Sequence, residues 1–226
     1  MKPTYLNSFA FCLWLCAGGV CQADVIVNTF GTNDGYDQNQ LYEVYWNVGP
    51  DPAANSALSV AVGFTVTNGP FSLNSVTLAL GYVQGTNNLA ISLLADNSGA
   101  PGALLENIVS HPVEPTHPYA VSTYQSSLHP ILAEGFKYWL LVEPPDHNLV
   151  DGRNNSIYDW YSSYGSPGPG VGRFFNFNSG DWDNWQVSNA PLLPAFRVEG
   201  LSVPEPSALS LLLMGGFLTW LRLQRR

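Results

Sequence analysis

Strict alternation of apolar residues with small or polar ones runs through the middle of this chain and restricts it to β-structure. The clearest alternating row is Leu58, Val60, Val62, Phe64 and Val66. Successive side chains of a strand point to opposite faces, so such a row buries one face and turns the other toward solvent or a second layer. Rows of the same kind occupy residues 42–48, 76–82, 89–95 and 136–142.

Turn-forming residues separate these rows. Asn-Gly-Pro stands at 68–70, and Asn, Asp, Gly and Pro also gather at 84–88 and 96–102, where a reversing chain needs positive or fixed φ angles. No sustained helical period occurs between residues 25 and 198. The pattern predicts one all-β domain over residues 24–200, a two-sheet antiparallel sandwich of jelly-roll type.

The first 23 residues are typical of a secretory signal peptide. Lys2 provides the positive charge, residues 9–20 are apolar, and Cys21-Gln22-Ala23 places small side chains where a signal peptidase needs them. Cleavage is expected between Ala23 and Asp24. A transmembrane anchor would need about 20 apolar residues, and lipidation at Cys21 would need a smaller neighbour than Val20.

Removal of this segment leaves a cysteine-free chain, since Cys12, Cys16 and Cys21 all precede residue 24. The mature domain would then contain no disulfide, no thiolate nucleophile and no cysteine-based zinc site. A body of this length can bury enough apolar surface to fold without such links.

The charge of the body is strongly acidic. Between residues 24 and 203 four basic residues face sixteen acidic ones, a net charge of −12. Nucleic-acid binding requires a basic surface that neutralises phosphates, so this function class is excluded. The acidity favours solubility outside the cell, with an affinity for divalent cations as the alternative.

The C-terminal tail combines three features: the motif Val203-Pro204-Glu205-Pro206, an apolar run over residues 208–221, and Arg222, Arg225 and Arg226. The prolines end regular structure. Fourteen helical residues rise about 21 Å, less than the hydrocarbon core of about 30 Å. The arginines are expected to stay in the cytoplasm and the domain outside it.

This tail, residues 203–226, resembles the PEP-CTERM sorting signal of Gram-negative bacteria that make an exopolysaccharide matrix. The resemblance implies an exosortase-like enzyme as partner, which recognises the motif and cleaves near it. It also implies a precursor held transiently in the inner membrane by a short C-terminal helix. The final location would be the cell surface or the extracellular matrix.

The body resembles the choice-of-anchor R domain, a bacterial surface module. The stretches that carry the resemblance are residues 71–80, 85–93, 94–106, 132–140 and 194–200. They consist mostly of strand and turn residues, so the resemblance implies a fold and a surface location without an activity.

No catalytic motif is present: the chain lacks G-x-S-x-G, the phosphate loop and H-E-x-x-H. No metal or cofactor is expected, although structural calcium near Asp96 or within 181–185 is an alternative to simple turn formation. The candidates for an aromatic carbohydrate-binding face are Tyr158, Trp160, Trp182 and Trp185. Filling of the core is the competing role for these rings.

The leading functional hypothesis is therefore a non-enzymatic, exported surface or matrix protein that is sorted through its tail. The alternative is a carbohydrate-binding module for exopolysaccharide. A secreted hydrolase ranks last because no motif supports it.

Overall fold

A computed structural model describes residues 22–47, 56–84, 89–109, 120–143, 156–167, 171–176, 181–182, 184–187 and 192–203. The predicted signal peptide up to residue 21 and the tail from residue 204 onward lie outside these ranges. Within the ranges, no helix combines the length and the apolar character that a membrane crossing needs.

The described residues form β-strands almost throughout, and a short 3₁₀ turn occupies Thr32–Asp34. The strands are Asp24–Asn28 (β1), Tyr36–Asn47 (β2), Ser56–Thr65 (β3), Phe71–Gln84 (β4), Ala90–Asn97 (β5), Ala100–Val109 (β6), Ala120–Gln125 (β7), Ile131–Leu132 (β8), Lys137–Glu143 (β9), Ser156–Pro167 (β10), Val171–Asn176 (β11), Asp181–Trp182 (β12), Gln186–Val187 (β13), Leu192–Pro194 (β14) and Phe196–Ser202 (β15). The prediction of an all-β body is confirmed.

Backbone pairing joins the strands into one antiparallel sheet. Its main path runs β1-β15-β4-β10-β2-β3-β9-β5-β6. The remaining strands attach at the sides: β7 and β8 pair with β4, β14 with β10, and β11 with β3, while β12 and β13 pair with β11.

The sheet curls around its main core. Phe64 of β3 and Phe196 of β15 lie with ring centroids 6.3 Å apart, although β4, β10 and β2 separate their strands along the path. Register irregularities interrupt the β4–β15, β2–β10 and β5–β6 pairings, and such bulges increase local bending and twist. Apolar residues of β2, β3, β4, β5, β9, β10 and β15 share the core.

The alternation in β3 has the predicted consequence. Val60, Val62 and Phe64 are buried in the core, whereas Ala61 and Gly63 lie on the opposite face. In β9 both sets are buried, because Tyr138 and Leu140 contact the core while Trp139 and Leu141 belong to a second apolar cluster. A covered outer face therefore exists along β9.

Both ends of the body emerge at the same end of the sheet. Asp24 of β1 stands opposite Gly200 of β15, and the backbone N–H of Val203 donates to the carbonyl of Pro70 at 3.0 Å. Three connections lie at this end too: the loop at 66–70 between β3 and β4, the turn at 98–99 between β5 and β6, and the segment 126–136 between β7 and β9. We call it the tail-bearing end.

Candidate binding groove on the outer face of the sheet

The candidate site rests on two rows of paired residues on the outer face of β3, β9, β5 and β6. The first row is Gly63, Trp139, Leu94 and Leu104, and the second is Ala61, Leu141, Ser92 and Asn107. Ala61, Leu94, Trp139 and Leu141 form a buried cluster in these rows. The floor of the site is thus apolar and rigid, since it is part of the sheet itself.

Small residues on β3 make room for the large Trp139 ring. A Cβ atom on Gly63 would lie 3.2 Å from Trp139 Cζ3 and 2.5 Å from Lys137 Cε. The Lys137 ammonium lies 4.0 Å from the centroid of the Trp139 ring, a cation–π geometry. Glycine at position 63 therefore allows both side chains to lie flat across β3.

Asp96 fixes the other edge of Trp139. Its Oδ1 accepts a hydrogen bond from Trp139 Nε1 at 2.8 Å, and its Oδ2 accepts one from the Gly99 N–H at 3.0 Å. The pKa of Asp96 is lowered, first by the hydrogen bond from Gly99 and then by the one from Trp139. Burial raises this pKa by less than these two bonds lower it, and the charge of Lys137 lowers it slightly further. Both carboxylate oxygens are thus engaged by the protein, in the turn-forming role that the sequence suggested.

Trp185 borders the site. It directly precedes β13, which pairs with β11, and β11 in turn pairs with β3, the strand that carries Ala61 of the cluster. The half-buried Trp185 packs against the cluster of Leu94, Trp139 and Leu141.

A groove of about 260 Å³ lies between Trp185 and the edge of the sheet. Its lining residues are Ser92, Leu94, Pro101, Gly102, Leu104, Asn107, Leu141, Glu143 and Trp185. The volume is just below the range of about 300–1,000 Å³ that is typical of pockets for drug-sized ligands. The groove is open to solvent on one side, and a tryptophan together with apolar and polar side chains lines it, so it suits only a small ligand.

The polar groups of the groove are arranged on one side. Ser92 is 4 % exposed, whereas Asn107 and Glu143 are open to solvent to a greater degree. The amide of Asn107, the most exposed of the three, can offer a donor and an acceptor to a ligand.

Of the four residues predicted to form an aromatic carbohydrate-binding face, the structure describes the side chains of two, Trp160 and Trp185. Trp160 is fully buried, and its Nε1 donates to the carbonyl of Ala195 at 3.0 Å, so it belongs to the core and is not accessible to a glycan. Trp185 is at the groove. The side chains of Tyr158 and Trp182 lie outside the described residues.

The sequence reasoning missed the groove floor and its polar edge. The unbroken apolar run from Tyr138 to Val142 was a usable signal, because strands buried on both faces have continuous apolar sequences. Ser92, Asn107 and Glu143 gave no such signal, since their proximity depends on the register of β5, β6 and β9.

Glu106 is a second feature that the sequence did not reveal. This carboxylate of β6 is 1 % exposed and accepts hydrogen bonds from Ser126 Oγ at 2.6 Å, the Ser127 N–H at 2.6 Å and the Leu128 N–H at 3.0 Å. Burial alone would raise the pKa of Glu106, but these bonds and one from Ser127 Oγ hold it below its usual value. Glu106 thereby attaches the segment after β7 to the edge strand β6.

Among the described residues, no group of three histidine, cysteine or acidic side chains is placed to hold a metal ion. The acidic candidates Asp181 and Asp183 lie outside the described side chains.

Comparisons of the chain with protein-family models, with curated proteins and with solved structures gave no match. The two family resemblances of the sequence therefore stay predictions.

Proposed function

We propose that this chain is an exported, non-enzymatic surface or matrix protein of a Gram-negative bacterium. Its C-terminal tail tethers the precursor in the inner membrane, and an exosortase-like enzyme then removes or exchanges that tail. The arginines of the tail remain in the cytoplasm while the acidic β-domain lies outside.

The observation that carries this proposal is where the strands begin and end. The first strand begins at Asp24 and the last ends at Ser202, so neither cleavage at Ala23 nor cleavage after Val203 removes a strand residue. Both ends also emerge at the tail-bearing end, where one membrane-associated enzyme can reach the tail without unfolding the domain.

Replacement of Pro204 or Glu205 in the sorting motif tests the proposal. We expect Glu205→Ala to accumulate as an unprocessed form in the inner membrane, which cell fractionation and intact mass detect. The matched control is Glu43→Ala, an exposed carboxylate of β2, which should be processed like the wild type. Equal mass and location of Glu205→Ala and wild type would contradict the sorting role.

At a finer level, the proposed architecture is a two-layer sandwich, in which the curled sheet folds over so that β3 and β15 face each other. The Phe64–Phe196 contact supports this arrangement, because sandwich cores form where inner faces meet. A crystal structure with these strands in the same layer would contradict it.

The second candidate function is saccharide binding in the Trp185 groove. A half-buried tryptophan beside the exposed amide of Asn107 offers part of a stacking face together with a hydrogen-bond donor and acceptor for a sugar ring. The net charge of −12 over residues 24–203 favours a neutral saccharide over an anionic one.

Isothermal titration tests this candidate with neutral and uronic-acid oligosaccharides prepared from the host polysaccharide. We expect Trp185→Ala to weaken binding about tenfold, ~1.4 kcal/mol, and the control Val121→Ala on β7 to bind normally. Absence of heat with every saccharide would remove the candidate. Equal binding by Trp185→Ala and the wild type would place any saccharide site elsewhere.

A further inference from the structure

Three large apolar side chains are exposed at the tail-bearing end. Leu128 is 68 % exposed, Phe136 is 64 % exposed and Ile131 is 58 % exposed. The first two are the most exposed large apolar side chains among the described residues. We call these three residues the apolar rim.

The rim lies next to the point where the tail leaves the domain. Ile131 of β8 stands opposite Ser72 of β4, and Ser72 stands opposite Leu201 of β15, two residues before Val203. Phe136 accepts a backbone hydrogen bond from Val66, whose loop also supplies the Pro70 carbonyl that binds Val203. The tail and the rim are therefore on one side of the molecule.

The segment that carries the rim is held firmly by polar contacts. Glu106 accepts the N–H of Leu128, and the Leu73 N–H donates to the carbonyl of Pro130 at 3.0 Å. Near the other end of the segment the Ala133 N–H donates to the Tyr138 hydroxyl at 2.8 Å. These hydrogen bonds fix the backbone of the segment that carries the apolar rim.

The sequence between Val203 and the apolar run is very short. Residues 204–207 are Pro-Glu-Pro-Ser, and four extended residues of this kind span about 12 Å. The polar headgroup region of one leaflet is roughly 5–8 Å thick. If the run at 208–221 is in the bilayer, as the proposed function requires, this spacer keeps the tail-bearing end at the headgroups or within about 4–7 Å of them.

We propose that the apolar rim rests on the membrane surface while the precursor is tethered, and orients the β-domain with its tail-bearing end against the lipid. Leu128, Ile131 and Phe136 then enter the interfacial region, where apolar side chains gain from leaving water. The inference rests on the proposed function, because only the tail brings the rim to the bilayer.

The acidic surface sets the preferred lipid. Glu134 lies between Ile131 and Phe136 and is exposed, and the body is acidic overall. Anionic headgroups should therefore repel the domain, and zwitterionic headgroups should allow the closest contact.

Site-specific fluorescent probes test the contact on the precursor that keeps its tail, isolated from membranes in a Glu205→Ala background that blocks tail removal. Cys12, Cys16 and Cys21 are replaced by serine, so a single new cysteine carries an environment-sensitive dye. The test variants are Ile131→Cys and Phe136→Cys. The control is Val83→Cys, which is 43 % exposed on β4 and lies about 36 Å farther along that strand than Ser72.

In phosphatidylcholine vesicles that contain the reconstituted chain, we expect a blue shift of the dye at 131 and 136 and its quenching by headgroup-labelled nitroxide lipid. The dye at 83 should show neither effect. Addition of phosphatidylglycerol should reduce the quenching at 131 and 136.

The possible failures are distinct. If the chain floats with the vesicles but the dyes at 131 and 136 behave like the dye at 83, the rim does not touch the bilayer and the inference is overturned. If the chain does not associate with the vesicles, the tail is no membrane tether, and both the inference and the proposed function are overturned.

Discussion

Glu106 illustrates at the residue scale how one buried carboxylate can hold two parts of a β-domain together. Its bonds to Ser126, Ser127 and Leu128 join β6 to the segment that carries the apolar rim. Hydrogen bonds to a charged group contribute more than neutral ones, about 1.5–3 kcal/mol each. The contact therefore matters both for stability and for the position of the rim.

The pH dependence of stability follows from the lowered pKa of Glu106. The unfolded chain binds a proton more readily than the folded one, so stability rises with pH. The Glu106 contribution is complete above the unfolded pKa of about 4.5 and is lost as the pH falls through the folded value.

We expect Glu106→Gln to lower the free energy of unfolding at pH 7 by about 2 kcal/mol. Its stability should also vary less with pH in the acidic range. Urea unfolding at pH 7 and at pH 3–4 measures both effects, and Glu134→Gln is the exposed control. A pH profile of Glu106→Gln parallel to that of the wild type would contradict the role of Glu106.

Gly200 and Gly63 differ in what an added Cβ atom would contact, and this difference predicts how much alanine at each position destabilises the fold. A Cβ atom on Gly200 would meet Phe71 Cβ at 2.9 Å and the Ser72 carbonyl at 3.0 Å, which are attached to the backbone of β4. A Cβ atom on Gly63 would first meet the flexible end of Lys137.

Gly200→Ala should therefore cost about 1–3 kcal/mol, and Gly63→Ala should cost less because Lys137 can move aside. Thermal unfolding of the two variants gives the order directly. Equal destabilisation, or a larger effect of Gly63→Ala, would show that the close approach of β15 to β4 is not as described.

At the scale of elements, β9 is buried on both faces, and this double burial creates the groove. Leu141 is 4 % exposed on the outer face, whereas Val121 of β7 is 37 % exposed. We expect Leu141→Ala to lower the free energy of unfolding by about 2–4 kcal/mol and Val121→Ala by less than about 0.5 kcal/mol. Equal, small effects in chemical denaturation would mean that the outer face of β9 is not covered.

The strands themselves could be predicted from the sequence because their periodicity is local. Val60, Val62 and Phe64 alternate within one strand, and the burial of that face follows without knowledge of its neighbours. The turn role of Asp96 could be predicted for the same reason, since its partner Gly99 is three residues away.

Contacts between distant strands could not be predicted. Glu106 meets Ser126 only because the curl of the sheet brings β6 to the segment after β7, and no local pattern specifies that curl. Trp160 and Trp185 each directly follow a polar residue, Asp159 and Asn184, yet one is in the core and the other at the groove. Tertiary register decides between these positions.

At the scale of the whole molecule, we propose that three parts of the chain have separate roles. In this proposal the ends direct export and sorting, the acidic β-domain is the part delivered, and the tail-bearing end is the side that meets the membrane before release. The groove lies on the outer face of β5, β6 and β9.

The central claim is that the β-domain is delivered without its ends, and the intact mass of the protein recovered from the surface or medium of its native host tests it most directly. We predict a chain that begins at Asp24 and ends near Val203–Pro206, without the apolar run at 208–221. A mass that corresponds to the full 226 residues, or to a chain that keeps the run and the terminal arginines, would contradict the account.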